Sequence, residues 1–273
     1  MTIHHRERFG TVVLTGATSG IGEATARRLA AVSETLIVLG PEPEGVPQLR
    51  GSGPADVHYV AADFTHLSEV VEAARSITSL VKTIDLLINN AGVPGAPQRI
   101  LTTDGFERTL QVNALAPALL TRLLVPSLAE GARIVNVGSS AHRVERFHFD
   151  DIDLARGYSP VAAYARAKLA MVTWSSLLAE ELRSMSVSVV ALCPGLNDTP
   201  LSAAMMGRIG GPPTHGAARV LHAAVADVPS GSYLEDDRVV SPSTDVTDPS
   251  NRERLTALYW QRLRPFATAG RAR

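Results

Sequence analysis

Short apolar runs alternate with longer helical patterns through the first two-thirds of this chain, and that alternation limits the folds open to it. The runs are Thr11–Thr15, Thr35–Leu39, Val57–Val60, Ile84–Ile88, Arg133–Val137 and Val187–Leu192. Several are apolar at nearly every residue, as strands covered on both faces must be. Between them, Leu67, Val70, Val71, Ala74, Ile77 and Leu80 recur at helical spacing. A second helical pattern spans Thr103 to Leu128, with a kink or break expected at Pro117, and a third spans Ala162 to Leu182. Such alternation implies right-handed crossovers. We expect an α/β, Rossmann-type, doubly wound parallel sheet of about seven strands with helices on both faces.

The 273 residues, 45% of them hydrophobic, can bury a large core within one domain, and residues 1–273 read as a single unit with frayed termini. Gly40–Pro54, rich in Pro and Gly, reads as a loop, so the second helix is short or missing. Ser202–Thr214 reads as a mobile lid inside a substrate-loop region near 196–215. A short helix over Gly216–Ala226, an edge strand at Ser232–Leu234 and a polar segment Glu235–Ser250 follow. The last helix, Asn251–Leu263, presents Leu255, Leu258, Tyr259 and Leu263 on one face, and Ala267–Arg273 reads as a frayed tail.

The net charge of −1 excludes a basic field for nucleic acid or anionic membrane. Cys193 is the sole cysteine, so no intramolecular disulfide forms and a reducing compartment suits the chain. Met1–Gly10 lacks the apolar core of a secretory signal, and no run approaches the ~20 apolar residues of a membrane span. A cytoplasmic protein without a membrane anchor is expected. The eight histidines show no metal-ligand spacing, so no metal site is expected.

The first strand runs into Thr15-Gly16-Ala17-Thr18-Ser19-Gly20-Ile21-Gly22, followed by a helix. Glycines there let the backbone approach a pyrophosphate, and the helix N-terminus favours the anion. The spacing departs from G-x-G-x-x-G, and an ordinary glycine turn is the alternative. Asp63, in Ala62-Asp63-Phe64, lies past the third strand, where it could accept a hydrogen bond from an adenine amino group or else cap the following helix. Asn89-Asn90-Ala91-Gly92 offers amides and small residues beside the same crevice.

Tyr164-Ala165-Arg166-Ala167-Lys168 places a phenol and an ammonium one helical turn apart. A phenol with a pKa of about 10 is a weak base at neutral pH, and a nearby cation brings it closer to working range. With 5 tyrosines and only Lys82 and Lys168 as lysines, chance yields this spacing in about 4% of such chains, so the pair is read as functional. Ser139-Ser140 follows the fifth strand, where a hydroxyl can hold a substrate oxygen, and no G-x-S-x-G elbow points to a hydrolase. Asn113 lies inside a helical pattern. Either a local distortion there frees a carbonyl to hold water, or the side chain faces solvent.

In their order over residues 10–200, these motifs resemble the short-chain dehydrogenase/reductase family. The resemblance implies a catalytic tetrad of Asn113, Ser140, Tyr164 and Lys168, with Ser140 chosen as the second serine of its pair. It implies a cofactor site of Gly16, Thr18, Ser19, Gly20, Ile21, Gly22, Asp63, Phe64, Asn90, Ala91, Gly92, Tyr164, Lys168, Pro194, Gly195 and Thr199, the last on the nicotinamide carboxamide. Val137-Gly138-Ser139-Ser140-Ala141-His142, the Phe147–Asp151 insertion and the tail around Ser230–Tyr233 are similar to the retinol dehydrogenase-like branch. That branch implies the phosphorylated cofactor, lipophilic alcohols or carbonyls, and a homodimer or homotetramer.

After the second strand the chain has Gly40-Pro41-Glu42, with neither the Arg that holds a 2′-phosphate nor the Asp that favours the unphosphorylated ribose, so NAD and NADP both stay open. The expected activity is NAD(P)-dependent interconversion of alcohol and carbonyl on a small apolar substrate. Two alternatives are a dinucleotide-binding regulator on the same fold and an epimerase or dehydratase that retains its cofactor. His142 reads either as a pocket residue or as an interior histidine satisfied by hydrogen bonds. Met205 and Met206 read as substrate contacts or as core, and Cys193 as a small core residue.

Overall fold

The computed structural model describes residues 8–43 and 46–269. The first seven residues and the final four, 270–273, lie outside the described residues, and most of the expected fraying falls there. One sheet runs through the fold in the order β3-β2-β1-β4-β5-β6-β7-β8. Its parallel members are β1 (Phe9–Thr15), β2 (Ser33–Gly40), β3 (Asp56–Ala61), β4 (Ile84–Asn89), β5 (Leu128–Val137), β6 (Ser188–Cys193) and β7 (Tyr233–Glu235). The two-residue β8 (Arg238–Val239) adds antiparallel to β7. The sheet therefore has eight strands where about seven were expected, and the presumed edge strand β7 is covered by a neighbour.

Strand composition follows from this placement. Val12, Val13 and Leu14 of β1 are fully buried because β2 and β4 flank the strand and helices cover both faces. On one face α1 (Gly20–Ala30) packs with α8 (Pro213–Val225) over a core that includes Val12, Leu14, Leu36 and Val220. The other face carries α3 (Leu67–Leu80), α5 (Ala116–Leu124), α6 (Pro160–Glu181) and α10 (Pro249–Ala269), packed on Val13, Ile37, Leu87 and Ile134. The sequence periodicity placed Leu255, Tyr259 and Leu263 of α10 correctly in this core, each worth roughly 1.5–3 kcal/mol of burial for the leucines. The helix runs to Ala269, past the expected end, because its packing on α3, α5 and α6 continues through the partly buried Phe266 and Ala267.

The Gly40–Pro54 stretch holds one helical turn, α2 (Val46–Leu49), so the second helix is short, as expected. Two other expectations are corrected. The expected lid is helical in its first half as α7 (Pro200–Met206). A reciprocal cap starts α7: the Thr199 side chain accepts from the Ser202 amide at 3.2 Å, and the Ser202 hydroxyl accepts from the Thr199 amide at 2.9 Å. Pro117 does not break its helix. It sits in the first turn of α5, where its missing N–H does least harm, and the irregularity lies upstream. There α4 (Arg108–Leu110) passes into a π-helical turn over Gln111–Leu115. The polar segment 235–250 holds β8 and the short α9 (Thr244–Thr247), whose Val246 is buried. Among the described residues no helix is long and apolar enough to cross a membrane.

One capping contact couples the two halves of this layer. His66 precedes α3 without a side-chain cap, and the Leu67 amide instead donates to Asp104 Oδ2 at 2.9 Å. The same oxygen accepts from Gln111 Nε2 at 2.8 Å, at the start of the π-helical turn. Replacing Asp104 by Ala should therefore cost about 1–2 kcal/mol in urea unfolding, with Asp104→Asn recovering part of it. An unchanged unfolding midpoint in the alanine variant would contradict a capping role.

Candidate active site

The strand order reverses between β1 and β4, and the loops leaving these two strands meet there. Thr15, fully buried, accepts the Asn90 and Ala91 amides on its hydroxyl, each at 3.0 Å. Asn90 Nδ2 donates back to the Thr15 and Gly16 carbonyls at 2.9 and 3.1 Å. The glycines are required by contact as well as by conformation. Gly16 has φ +67°, and a Cβ on Gly22 would lie 1.9 Å from the Gly16 carbonyl oxygen. Ser19 does not cap α1 with its side chain, so the helix begins beside the crevice with its N–H groups available to an anion.

This crevice opens into a cavity of about 730 Å³. Every site residue expected from the sequence lines it except Asn113. From the strand order, the β2 and β3 ends bring Gly40, Pro41, Asp63 and Phe64 to one side, and β5, β6 and α6 bring Ser139, Cys193, Tyr164 and Lys168 to the other. The only charged lining residues among those described are Asp63 and Lys168. Asp63 does not cap α3. Its Oδ1 accepts the Thr65 amide at 2.8 Å in a tight local turn.

Lys168 is almost fully buried. Its ammonium donates to the Val137 carbonyl at 2.8 Å and lies 5.7 Å from the centre of the Tyr164 ring. Desolvation lowers the lysine pKa to about 8. Desolvation also dominates at Tyr164, whose pKa rises to about 12, and hydrogen bonding from the Ser139 side chain acts in the opposite direction. Without ligand, then, burial outweighs the expected pull of the lysine on the phenol.

The hydroxyl beside Tyr164 belongs to Ser139, not to Ser140 as the resemblance implied. The reason is local. Ser139 continues the extended backbone of β5, with φ −166°, and serves as N-cap of a 3-10 turn over Ser140–Arg143. Its oxygen accepts the Ala141 amide at 3.2 Å. Ser140 already belongs to that turn and is exposed, and its amide donates to Cys193 Sγ at 3.3 Å.

Asn113 lies within the π-helical turn, fully buried, which excludes the solvent-facing alternative. Its side chain clamps one residue of the loop after β4: Oδ1 accepts the Val93 amide at 2.8 Å and Nδ2 donates to the Val93 carbonyl at 2.9 Å. A Cβ on Gly92 would stand 3.3 Å from Asn113 Oδ1 and 3.8 Å from the Lys168 ammonium, so Asn113 sits just behind the lysine. Such π turns recur at functional sites. His142 is an interior histidine bonded through both ring nitrogens and lies outside the cavity lining.

Sequence reasoning missed the apolar side of the cavity. Val144, Val161, Leu196 and Met206 line it while remaining 65, 54, 51 and 55% exposed. Met205 and Met206 carry a sequence signal as flexible apolar residues, but single valines and leucines in loops or at the ends of helices show no periodicity. The closest test of the phosphate cradle is Gly22→Ala, whose methyl group has no space against the Gly16 carbonyl. We expect at least a tenfold loss of NADH or NADPH affinity by fluorescence titration, together with a lower melting temperature. Wild-type affinity in that variant would show that the glycine loop does not hold the dinucleotide.

Residues 10–207 match the family described as short chain dehydrogenase. The chain is 35% identical over 272 residues to polyprenol dehydrogenase of Mus musculus, covering 90% of this chain and 81% of that protein. It is 38% identical over 201 residues to retinol dehydrogenase 13 of Homo sapiens, covering 70% of this chain and 60% of that one. A crystal structure of an uncharacterized protein from Mycobacterium paratuberculosis superposes with TM-score 0.80 at 32% identity, covering 94% of each chain. A matching family over most of the length, relatives above 30% identity and the dinucleotide crevice lead to one assignment. The chain belongs to the short chain dehydrogenase family, in its retinol dehydrogenase-like branch, and is an NAD(P)-dependent oxidoreductase acting between alcohols and carbonyls.

Proposed function

We propose that Tyr164 transfers the proton during hydride exchange between a nicotinamide dinucleotide and an apolar alcohol or carbonyl. The observation that carries this reading is the convergence of Tyr164, Ser139 and Lys168 on one wall of the cavity that the glycine loop enters. The Ser139 hydroxyl holds the substrate oxygen beside the phenol. Lys168 donates to a ribose hydroxyl and supplies the positive charge that opposes desolvation of the phenolate. Asn113, with its side chain committed to Val93, contributes through the main chain of its π-helical turn to a water relay behind Lys168.

The dinucleotide, when bound, supplies the hydride donor or acceptor and, in its oxidised form, a positive ring. Residues Gly16 to Gly22 hold the diphosphate, Asp63 and Phe64 the adenine, and Pro194, Gly195 and Thr199 the carboxamide end. Residues 1–273 act as one dinucleotide-binding and catalytic unit. The exposed apolar residues at the cavity mouth support a substrate whose apolar portion extends over Val144, Val161, Leu196 and Met206.

Tyr164→Phe should lower kcat by at least about 10³-fold with cofactor affinity retained, and Ser139→Ala by about 10²-fold, whereas Ser140→Ala stays near wild type. Near-normal turnover in Tyr164→Phe would remove the proton-transfer role. A larger loss in Ser140→Ala than in Ser139→Ala would return the substrate contact to Ser140.

The same cavity favours the unphosphorylated cofactor. No Lys or Arg occurs between Gly40 and Leu49, and among the described residues no cationic side chain other than Lys168 lines the cavity. A 2′-phosphate beside Gly40 and Pro41 would meet no counter-charge and would lie near the exposed Glu42. NADH should therefore bind at least about tenfold more tightly than NADPH, a difference of about 1.4 kcal/mol. Fluorescence titration of both reduced cofactors measures the ratio, and tighter NADPH binding would reverse the assignment.

A further inference from the structure

His142 is fully buried and does not itself line the cavity, yet both its ring nitrogens are matched to main-chain groups of different elements. Nδ1 lies 2.7 Å from the Ser139 carbonyl, which can only accept, so Nδ1 carries the hydrogen. The Ser243 amide donates to Nε2 at 3.1 Å, so Nε2 carries the lone pair. These two bonds fix one neutral tautomer. The His142 amide also donates to the Ser139 carbonyl, at 3.1 Å, so this single oxygen is held from two directions by one residue.

Behind the histidine, the stretch from β7 to α9 forms a strap. The His142 ring stands edge-on to Tyr233 with centroids 4.8 Å apart, and the Tyr233 hydroxyl donates to Glu235 at 2.9 Å. Arg143 lies over the Tyr233 ring and donates to the Ser241 carbonyl at 2.9 Å. Val246 packs with Leu169 and Val172 of α6. The strap is thereby bound to the same helix that carries Tyr164, and His142 is its link to the serine loop. Packing alone would be satisfied by any ring of this size. It does not account for a donor on one nitrogen and an acceptor on the other.

We propose that His142 is a positioning residue, which fixes the Ser139 carbonyl against the strap and so aims the Ser139 hydroxyl at Tyr164 and the substrate oxygen. This rests on the reading of Ser139 and Tyr164 given above. The side-chain amide of Asn can place a donor where Nδ1 stands, and the amide oxygen of Gln can reach the position of Nε2, so two variants separate the two bonds.

In His142→Gln, which keeps the strap bond and loses the donor to Ser139, kcat should fall about tenfold, with KM and cofactor affinity within about twofold of wild type. In His142→Asn, which keeps that donor, kcat should recover to within about threefold, although the urea midpoint falls at least as far as in the Gln variant. Activity and stability would then part company, which a purely structural histidine does not produce. Equal loss of kcat in both variants, loss that follows stability, or wild-type kcat in His142→Gln would each overturn the proposal. The parent reading fails separately: it falls if Ser139→Ala and Tyr164→Phe keep their turnover, whereas full loss in those two with none in His142→Gln removes only the role of His142.

Discussion

The contact on which the rest depends is the one between the loops after β1 and β4. The Thr15 hydroxyl takes two amides from the β4 loop, and the Asn90 side chain returns two hydrogen bonds to the β1 loop. Four neutral hydrogen bonds of ordinary net strength, about 1 kcal/mol each, do not make this the most stable part of the molecule. They set a distance. With the loops this close, no Cβ fits at Gly16 or Gly22, and the backbone itself becomes the wall of the crevice. An anion then meets N–H groups and a helix terminus in place of flexible cationic side chains, which fits a cavity whose lining, among the described residues, has one lysine and no arginine.

On the far side the problem is inverted. Tyr164 and Lys168 are ionisable groups placed where water is scarce, and desolvation shifts them against ionisation, the phenol up to about 12 and the amine down to about 8. A rigid frame must hold them at such a cost. The frame is the buried α6, the Val137 carbonyl that takes the ammonium, and the 3-10 turn that carries Ser139 at its start. The Asn113 clamp on Val93 supports the same wall from the β4 side, where a Cβ on Gly92 would press on Asn113 at 3.3 Å.

Much of this was legible in the sequence, and the reasons differ by feature. Strands β1 to β6 were readable because both faces are covered, so the apolar signal is continuous. The Tyr164–Lys168 pair was readable because helical geometry converts a spacing of four into proximity. The irregularity at Asn113 was inferred because an amide in a helix interior needs a reason, although Pro117 drew the expected break four residues too late, into the first turn of α5. The choice between Ser139 and Ser140 was not readable, since it depends on the residue at which an extended strand turns into a 3-10 curl. The apolar rim was hidden because its residues come from segments far apart in the chain, and the eighth strand because two residues are too few to show a pattern.

Composition bears on one last point. Of 26 basic residues only Lys82 and Lys168 are lysine, so arginine is this chain's default cation. Arginine could not stand at position 168. Its guanidinium has five donors, and the buried pocket offers the Val137 carbonyl as the bonded acceptor, leaving most of those donors without a partner. A pKa above about 12 would also keep it charged at any cost of burial, whereas an ammonium lowered to about 8 sits near its own neutral form. The planar group is wider as well, and the lysine already lies against Gly92, where even a Cβ would stand 3.8 Å from its ammonium. The persistence of a lysine here therefore follows from desolvation, donor count and shape acting together, and each of the three alone would favour the same residue.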